Sequence, residues 1–148
     1  MSDEKELRDY LFKEIEIVQP IINRMGHNSF LIKGWAITLV VIVMVFRNLP
    51  DQAYLAIIPL AAFWCLDAYY LRQERLYRDL YKWIVANRLK TDKRLLSMDT
   101  SQFNVSFWRT LFSSTLVLFY VLILVLVLAF EFAHGSASCA ALTENGYC

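Results

Sequence analysis

The chain has 148 residues, of which 57% are hydrophobic, 15% aromatic and 20% charged, with a formal net charge of +1. Few Gly and Pro residues and several long apolar segments exclude a disordered or collagen-like chain, and no alternating apolar and polar runs predict a transmembrane barrel. The composition is typical of an all-α integral membrane protein.

Residues 1–28 predict an amphipathic helix at the N-terminus. Pro20 predicts a kink or break near residues 16–18. Because the polar face is acidic rather than basic, we expect the apolar stripe to pack on the protein's own helices and not on lipid. The alternative is a helix that assembles around a symmetry axis and gates a pore. The stripe consists of Leu7, Leu11, Ile15, Val18, Ile22 and Met25, and the acidic face of Glu4, Glu6, Asp9, Glu14 and Glu16.

Residues 29–71 predict a transmembrane hairpin of two spans joined by the polar turn 47–51. Each apolar segment is short enough to be a buried core helix, but their pairing beside a longer apolar segment favours spanning. Lys33 and Asp67 both lie roughly 21–24 Å from the turn along their helices. An unpaired charge there is costly, so the two residues predict a structural ion pair across the hairpin.

Residues 72–109 predict a cytoplasmic extension of the second span, followed by a polar connector over 87–105. Basic side chains share one face of the extension, and aromatic rings are interleaved with them. Two interpretations stay open: charges that meet lipid headgroups, or a surface that binds a nucleotide or single-stranded nucleic acid. The candidate ligand-binding residues are Arg72, Arg75, Tyr77, Arg78, Tyr81 and Lys82.

Residues 110–131 predict a third transmembrane helix. Positions 110–130 carry no charge and span roughly 31 Å as a helix, close to the thickness of a bilayer's hydrocarbon core. One face has hydroxyls at its inner end, aliphatic side chains in its centre and a carboxylate at its outer end, which in an oligomer would line a pore. The alternative is that the hydroxyls bond to backbone carbonyls or tighten helix packing. The candidate pore-lining residues are Thr110, Ser113, Ser114, Val117, Val121, Leu124, Leu128 and Glu131.

The distribution of basic residues predicts the orientation. With three crossings, 14 of the 15 Lys and Arg residues fall on the side of the N-terminus, which the positive-inside rule makes cytoplasmic. We therefore expect a multi-pass membrane protein, with residues 132–148 as an extracytoplasmic tail. Cys139 and Cys148 in that tail predict a disulfide, with two free thiols as the alternative.

No catalytic constellation is visible in the sequence. The cysteines lack zinc-binding spacing, no glycine-rich phosphate loop or nucleophile elbow occurs, and His27 and His134 are expected on opposite sides of the membrane. We therefore expect a protein that is not an enzyme and that holds no metal or cofactor.

Two segments resemble small bacterial membrane proteins encoded beside nucleotidyltransferase-like enzymes in anti-phage systems: residues 24–35 (RMGHNSFLIKGW) and residues 63–78 (FWCLDAYYLRQERLYR). In size and three-span layout the chain most resembles the channel subunits of Hailong defence systems. The resemblance implies a homotetrameric ion channel that a single-stranded DNA oligomer, made by the partner enzyme, holds closed. Destruction of that oligomer during infection would open the channel and depolarise the cell.

The leading hypothesis is therefore a homo-oligomeric, ligand-gated ion channel. The alternative is a membrane anchor or assembly subunit that recruits a cytosolic enzyme through residues 1–25 and 72–105. A small transporter is disfavoured because no substrate-binding charge lies near the midplane of the membrane.

Overall fold

The computed structural model describes residues 2–45, 54–91 and 95–144, and within these residues it contains helices and no strand. The order is α1 (Ser2–Val45), α2 (Tyr54–Asn87), a short 3₁₀ turn (Arg88–Lys90), α3 (Phe107–Leu111) and α4 (Ser114–Glu144). The all-α prediction is confirmed.

Helix α1 is one continuous element of 44 residues, about 66 Å long. It continues through Pro20, so the predicted break does not occur, and no interruption separates residues 1–28 from the first apolar segment. Proline removes one hydrogen bond from the helix. Val18 and Ile22, on either side of Pro20, pack against α2 and hold the two turns in line.

Helices α1 and α2 form a long antiparallel hairpin with two apolar cores. At one end, Val18 packs against Leu80 and Ile84. We call this cluster the cytoplasmic core, after the side of the membrane on which the sequence predicts it. The N-terminal apolar stripe thus packs on the protein's own helix, as expected for its acidic surroundings. The second core, which we call the apolar core, joins the other end of the hairpin to α4, and its fully buried members include Ala36, Ala56, Ala68, Leu116 and Tyr120.

Residues 95–106, the described part of the connector that leads to α3, pack on the protein. Met98 and Phe103 contact the cytoplasmic core. The backbone N–H of Phe103 donates to Thr100 O at 3.0 Å and closes a turn between these two residues. At the far end of the connector, Arg72 Nε donates to Val105 O at 2.7 Å and ties the connector to α2.

A break of two residues, which we call the elbow, separates α3 from α4. Helix α3 ends at Leu111, and α4 begins at Ser114 after the intervening Phe112 and Ser113. The predicted single helix over residues 110–131 therefore starts four residues later, and α4 continues beyond the predicted boundary to Glu144. The Ser113 carbonyl accepts the first bond of the new helix, from Val117 N at 3.0 Å.

Two helices are long and apolar enough to cross a membrane: α1, over Glu4–Val45, and α4, over Ser114–Phe132. In the described part of the chain, α2, which carries the predicted second span, is not among these two. Three crossings therefore stay a prediction. In each of the two helices, 22% of the most apolar window is buried within the chain. A core helix of a soluble protein of this size would be mostly buried.

Candidate functional site

A buried cluster of polar side chains joins the three long helices, and we call it the polar cluster: Ser29 and Lys33 on α1, Asp67 on α2 and Tyr120 on α4. The Asp67 side chain is completely buried. It faces Lys33 Nζ at 2.5 Å, accepts a hydrogen bond from Ser29 Oγ, and accepts a third from Tyr120 Oη at 3.4 Å. The structure therefore brings together the two residues of the predicted ion pair and adds two hydroxyls.

The polar cluster lies inside the apolar part of the protein. Tyr120 is six residues beyond the start of α4, or about 9 Å along the helix axis. Its ring stacks on Trp64 with centroids 5.8 Å apart, and Trp64 Nε1 donates to Leu111 O at 3.0 Å. Each polar group here has a partner, as burial of a charge requires. The arrangement is suited to holding three helices in register.

Sequence reasoning missed Ser29 and Tyr120 as members of this cluster. The position of Ser29 could have been inferred from the sequence, because it lies four residues before Lys33 and so on the same face of a helix. Lys33 Nζ in fact donates to Ser29 Oγ at 2.9 Å. Tyr120 had a weaker signal: a phenol within an apolar helix needs a partner for its hydroxyl, but the sequence does not say which one.

A second buried ion pair lies at the end of the hairpin that contains the cytoplasmic core. Arg88 binds Glu14 through two bonds, Nε to Oε2 at 2.6 Å and Nη2 to Oε1 at 2.7 Å, and each side chain is 1% exposed. Such paired, parallel bonds between guanidinium and carboxylate are among the strongest in proteins. The backbone N–H of Leu96, in the connector, also donates to Glu14 Oε1 at 2.7 Å.

The placement of Glu14 on the solvated acidic face was wrong. It is fully buried, because it lies three residues after Leu11 and four before Val18 and thus shares the apolar stripe. The burial of Glu14 could have been predicted from this spacing. One carboxylate consequently fixes three elements: α1, the end of α2, and the connector.

The predicted basic surface is divided in two by the fold. Arg72 bonds the connector, and Arg75 Nη1 lies 3.5 Å from Thr110 Oγ1 on α3. Arg78 and Lys82 point outward, with side chains 59% and 75% exposed, and form ion pairs of 2.7 Å and 2.9 Å with Glu74 and Asp79 of the same helix.

The two candidate ligand-binding tyrosines, Tyr77 and Tyr81, are half-buried and pack against the cytoplasmic core. Two open grooves border the basic residues. One, which we call the α1–α2 groove, is lined by Gln19, Ile22, Asn23, Arg78 and Tyr81. The other, which we call the Arg75–Arg109 groove, is lined by Arg75, Asp79, Asn104, Val105, Ser106 and Arg109.

The candidate pore-lining stripe is mostly on α4, beside the face that packs on the hairpin. Thr110 is separated from the others: it lies on α3, is buried, and donates its hydroxyl to Ser106 O at 3.0 Å. Ser113 lies in the elbow, and its hydroxyl oxygen is buried without a hydrogen-bond partner in the described part of the chain. The remaining residues are exposed (Ser114, Val121, Leu128) or half-buried (Val117, Leu124, Glu131).

The predicted disulfide falls outside what the structure describes. Cys148 and the side chain of Cys139 are not among the described residues, so the pairing stays a prediction. Within the described ranges, no three His, Cys, Asp or Glu side chains are grouped to hold a metal ion.

Comparison with known proteins finds no match to this chain, whether among family models, curated proteins or solved structures.

Proposed function

We propose that this chain is the subunit of a homo-oligomeric, ligand-gated ion channel of the bacterial inner membrane. The carrying observation is that the chain's own core covers only part of the stripe on α4, where Leu124 packs against it. That core uses the neighbouring face of the helix, and Ser114, Val121 and Leu128 stay exposed. In an oligomer, with a tetramer favoured by the resemblance, this face is available to surround a common axis.

Three crossings follow from the proposed membrane position of α1. Helix α2 is antiparallel to α1, and Ala56 and Leu60 of α2 belong to the same apolar core as Ala36 and Val40 of α1. If α1 crosses the bilayer over this region, the paired part of α2 crosses with it. Helix α4 then returns the chain to the outer side, which keeps 14 of the 15 basic residues cytoplasmic.

The chemistry of the stripe suits conduction. Ser114 would hydrate the inner mouth, rings of Val and Leu would close the pathway by excluding water, and a ring of Glu131 would favour cations at the outer mouth. A single chain encloses no such pathway, so the proposed activity requires assembly.

Replacement of Val121 by Ser is expected to raise ion flux without ligand several-fold, because a hydroxyl ring wets the narrow part of the pathway. The matched control is Leu126→Ser on the same helix, where the native side chain is 60% exposed and lies about 140° from Val121 around the helix axis. Flux is measured with the purified chain in liposomes. No flux from any variant, with or without ligand, contradicts the channel. A larger effect of Leu126→Ser assigns the pathway to the other face of α4.

The proposed regulator is an anionic ligand, a nucleotide or single-stranded DNA oligomer, bound by the outward basic residues. Arg78 and Tyr81 line the α1–α2 groove together, so a guanidinium and an aromatic ring are available to one ligand. The assignment to anti-phage defence, and to a partner nucleotidyltransferase-like enzyme, rests on the resemblance of residues 24–35 and 63–78.

Neutralising Arg78 and Lys82 together with Gln is expected to weaken oligonucleotide binding and to flatten its salt dependence, by roughly 1.4 in the logarithmic slope for two lost phosphate contacts. The matched control neutralises Lys13 and Arg24, two exposed basic residues of α1. Fluorescence anisotropy with a labelled DNA oligomer measures both. Equal losses of oligonucleotide affinity in the two double variants would mean that binding depends on the net charge of the chain and not on this groove.

A specific observation favours the anchor as a second candidate. The cytoplasmic end of the hairpin exposes large apolar side chains: Phe12 at 67%, Ile17 at 44%, Val85 at 47% and Leu89 at 48%. Such residues suit contact with another protein. An anchor expressed alone leaves the membrane potential of the cell unchanged, whereas a channel without its inhibitor depolarises it.

A further inference from the structure

We propose that the Arg75–Arg109 groove binds the phosphate of an anionic phospholipid headgroup in the cytoplasmic leaflet. This inference rests on the membrane insertion in the proposed function, but it concerns neither the pore nor the regulator. The groove has a volume of about 490 Å³ and is open to the surface. It lies where the connector enters α3, directly before the apolar helix α4.

The groove offers two guanidinium groups from different elements. Arg75, on α2, is half-buried, and its one contact within the described residues is the long 3.5 Å approach of Nη1 to Thr110 Oγ1. Arg109, on α3, is exposed, and no carboxylate in the described part of the chain pairs with it. Guanidinium groups bind phosphate oxygens through paired hydrogen bonds, so two of them converging on one groove suit a phosphodiester.

The polar neighbours are compatible with an anion. Asp79 also lines the groove, but its carboxylate is engaged by Lys82 Nζ at 2.9 Å. Asn104 and Ser106 add an amide and a hydroxyl that can donate to phosphate oxygens. The balance of charge in the groove is therefore positive.

The surroundings of the groove favour a lipid over a free phosphate. Two large aromatic rings near Arg109 are exposed: Trp108, which precedes it on α3, at 66%, and Phe112, in the elbow, at 64%. Tryptophan concentrates where headgroups meet hydrocarbon, because one end of its ring system is apolar and the other donates a hydrogen bond. A site for a soluble phosphate has no need of exposed rings beside it. Here they would enter the bilayer while the arginines reach the headgroup.

Replacing Arg75 and Arg109 together with Gln is expected to lower the affinity for dioleoylphosphatidylglycerol about tenfold or more, given what each basic residue near an anionic bilayer contributes. Native mass spectrometry of the detergent-solubilised chain, titrated with this lipid or with dioleoylphosphatidylcholine, measures the loss. Arg109→Gln alone, at an exposed position, is expected to show part of the loss with unchanged helicity. The matched control, Lys13→Gln with Arg24→Gln, removes the same charge elsewhere and is expected to keep the native affinity.

Three outcomes overturn the inference. Equal affinity of the double variant and the native chain removes the site, and an equal loss in the control reduces it to net charge. Displacement of the lipid by millimolar inorganic phosphate, compared with chloride at equal ionic strength, reassigns the groove to a soluble phosphate. Flotation of the native chain with phosphatidylcholine vesicles separates these results from failure of the proposed function: a chain that does not float lacks the membrane premise, whatever its lipid preference.

Discussion

Replacement of Asp67 by Asn is expected to lower the free energy of unfolding by about 3–5 kcal/mol, because it leaves the Lys33 ammonium buried without a counter-charge. The Asp67 side chain is fully buried and that of Lys33 is 20% exposed, so little solvent is available to compensate. The substitution also leaves the Ser29 hydroxyl facing an amide in place of a carboxylate. Both losses act on the region where α1, α2 and α4 meet.

Thermal unfolding of the detergent-solubilised chain measures this effect as a fall in Tm of roughly 10 °C. Asp79→Asn is the matched control: the same substitution on the same helix, at a residue whose side chain is 40% exposed and pairs with Lys82 at the surface. We expect that control to change stability by less than about 1 kcal/mol. The double variant Lys33→Met, Asp67→Asn is expected to regain part of the loss. A double variant no more stable than Asp67→Asn would contradict the account of an unpaired buried charge.

Replacement of Arg88 by Met is expected to destabilise the half of the hairpin that contains the cytoplasmic core by a similar amount, about 3–5 kcal/mol. Glu14 then keeps the backbone N–H of Leu96 as a donor but loses both guanidinium bonds. The Glu14 carboxylate also holds the connector. Loss of its guanidinium partner is therefore expected to loosen the connector as well as the contact between α1 and α2.

Limited proteolysis within residues 95–105, together with Tm, measures this second effect. Arg8→Met is the matched control, since Arg8 pairs with Glu4 one turn away with side chains 61% and 65% exposed. Faster cleavage is expected for Arg88→Met alone. Replacing both members of the buried pair, as Glu14→Leu with Arg88→Met, is expected to restore part of the stability. Cleavage rates that are equal in the Arg8 and Arg88 variants would show that the buried pair does not hold the connector.

The sequence predicted those features that depend on counting along a regular helix. Similar distances from the polar turn placed Lys33 and Asp67 side by side, and the structure brings them together. The spacing of Val18 and Ile22 predicted a packed face, and both residues contact the cytoplasmic core. Such arguments succeed because the rise and turn of an α-helix hardly vary with sequence.

Features that depend on where a helix stops were not predictable in the same way. The elbow at Phe112 and Ser113 could not be predicted from the uncharged segment. The sequence is apolar on both sides of the break, and no Gly or Pro marks its position. Thr110 was consequently placed on the wrong helix. The acidic face concealed Glu14, whose burial depends on a partner 74 positions away in the chain. Pairings at such separation are set by tertiary packing and not by local pattern.

The two buried ion pairs together leave the hairpin almost no internal degree of freedom. Glu14 and Lys33 are 19 residues apart on α1. Their partners are 21 residues apart, Asp67 on α2 and Arg88 in the 3₁₀ turn that follows it, so the two fixed points lie about 30 Å from each other. One such point permits a swivel, whereas two prevent both swivelling and sliding. Helix α4 is joined to this rigid body by apolar contacts and by the 3.4 Å bond of Tyr120. The least costly motion of the fold is therefore a displacement of α4 against a hairpin that moves as one piece.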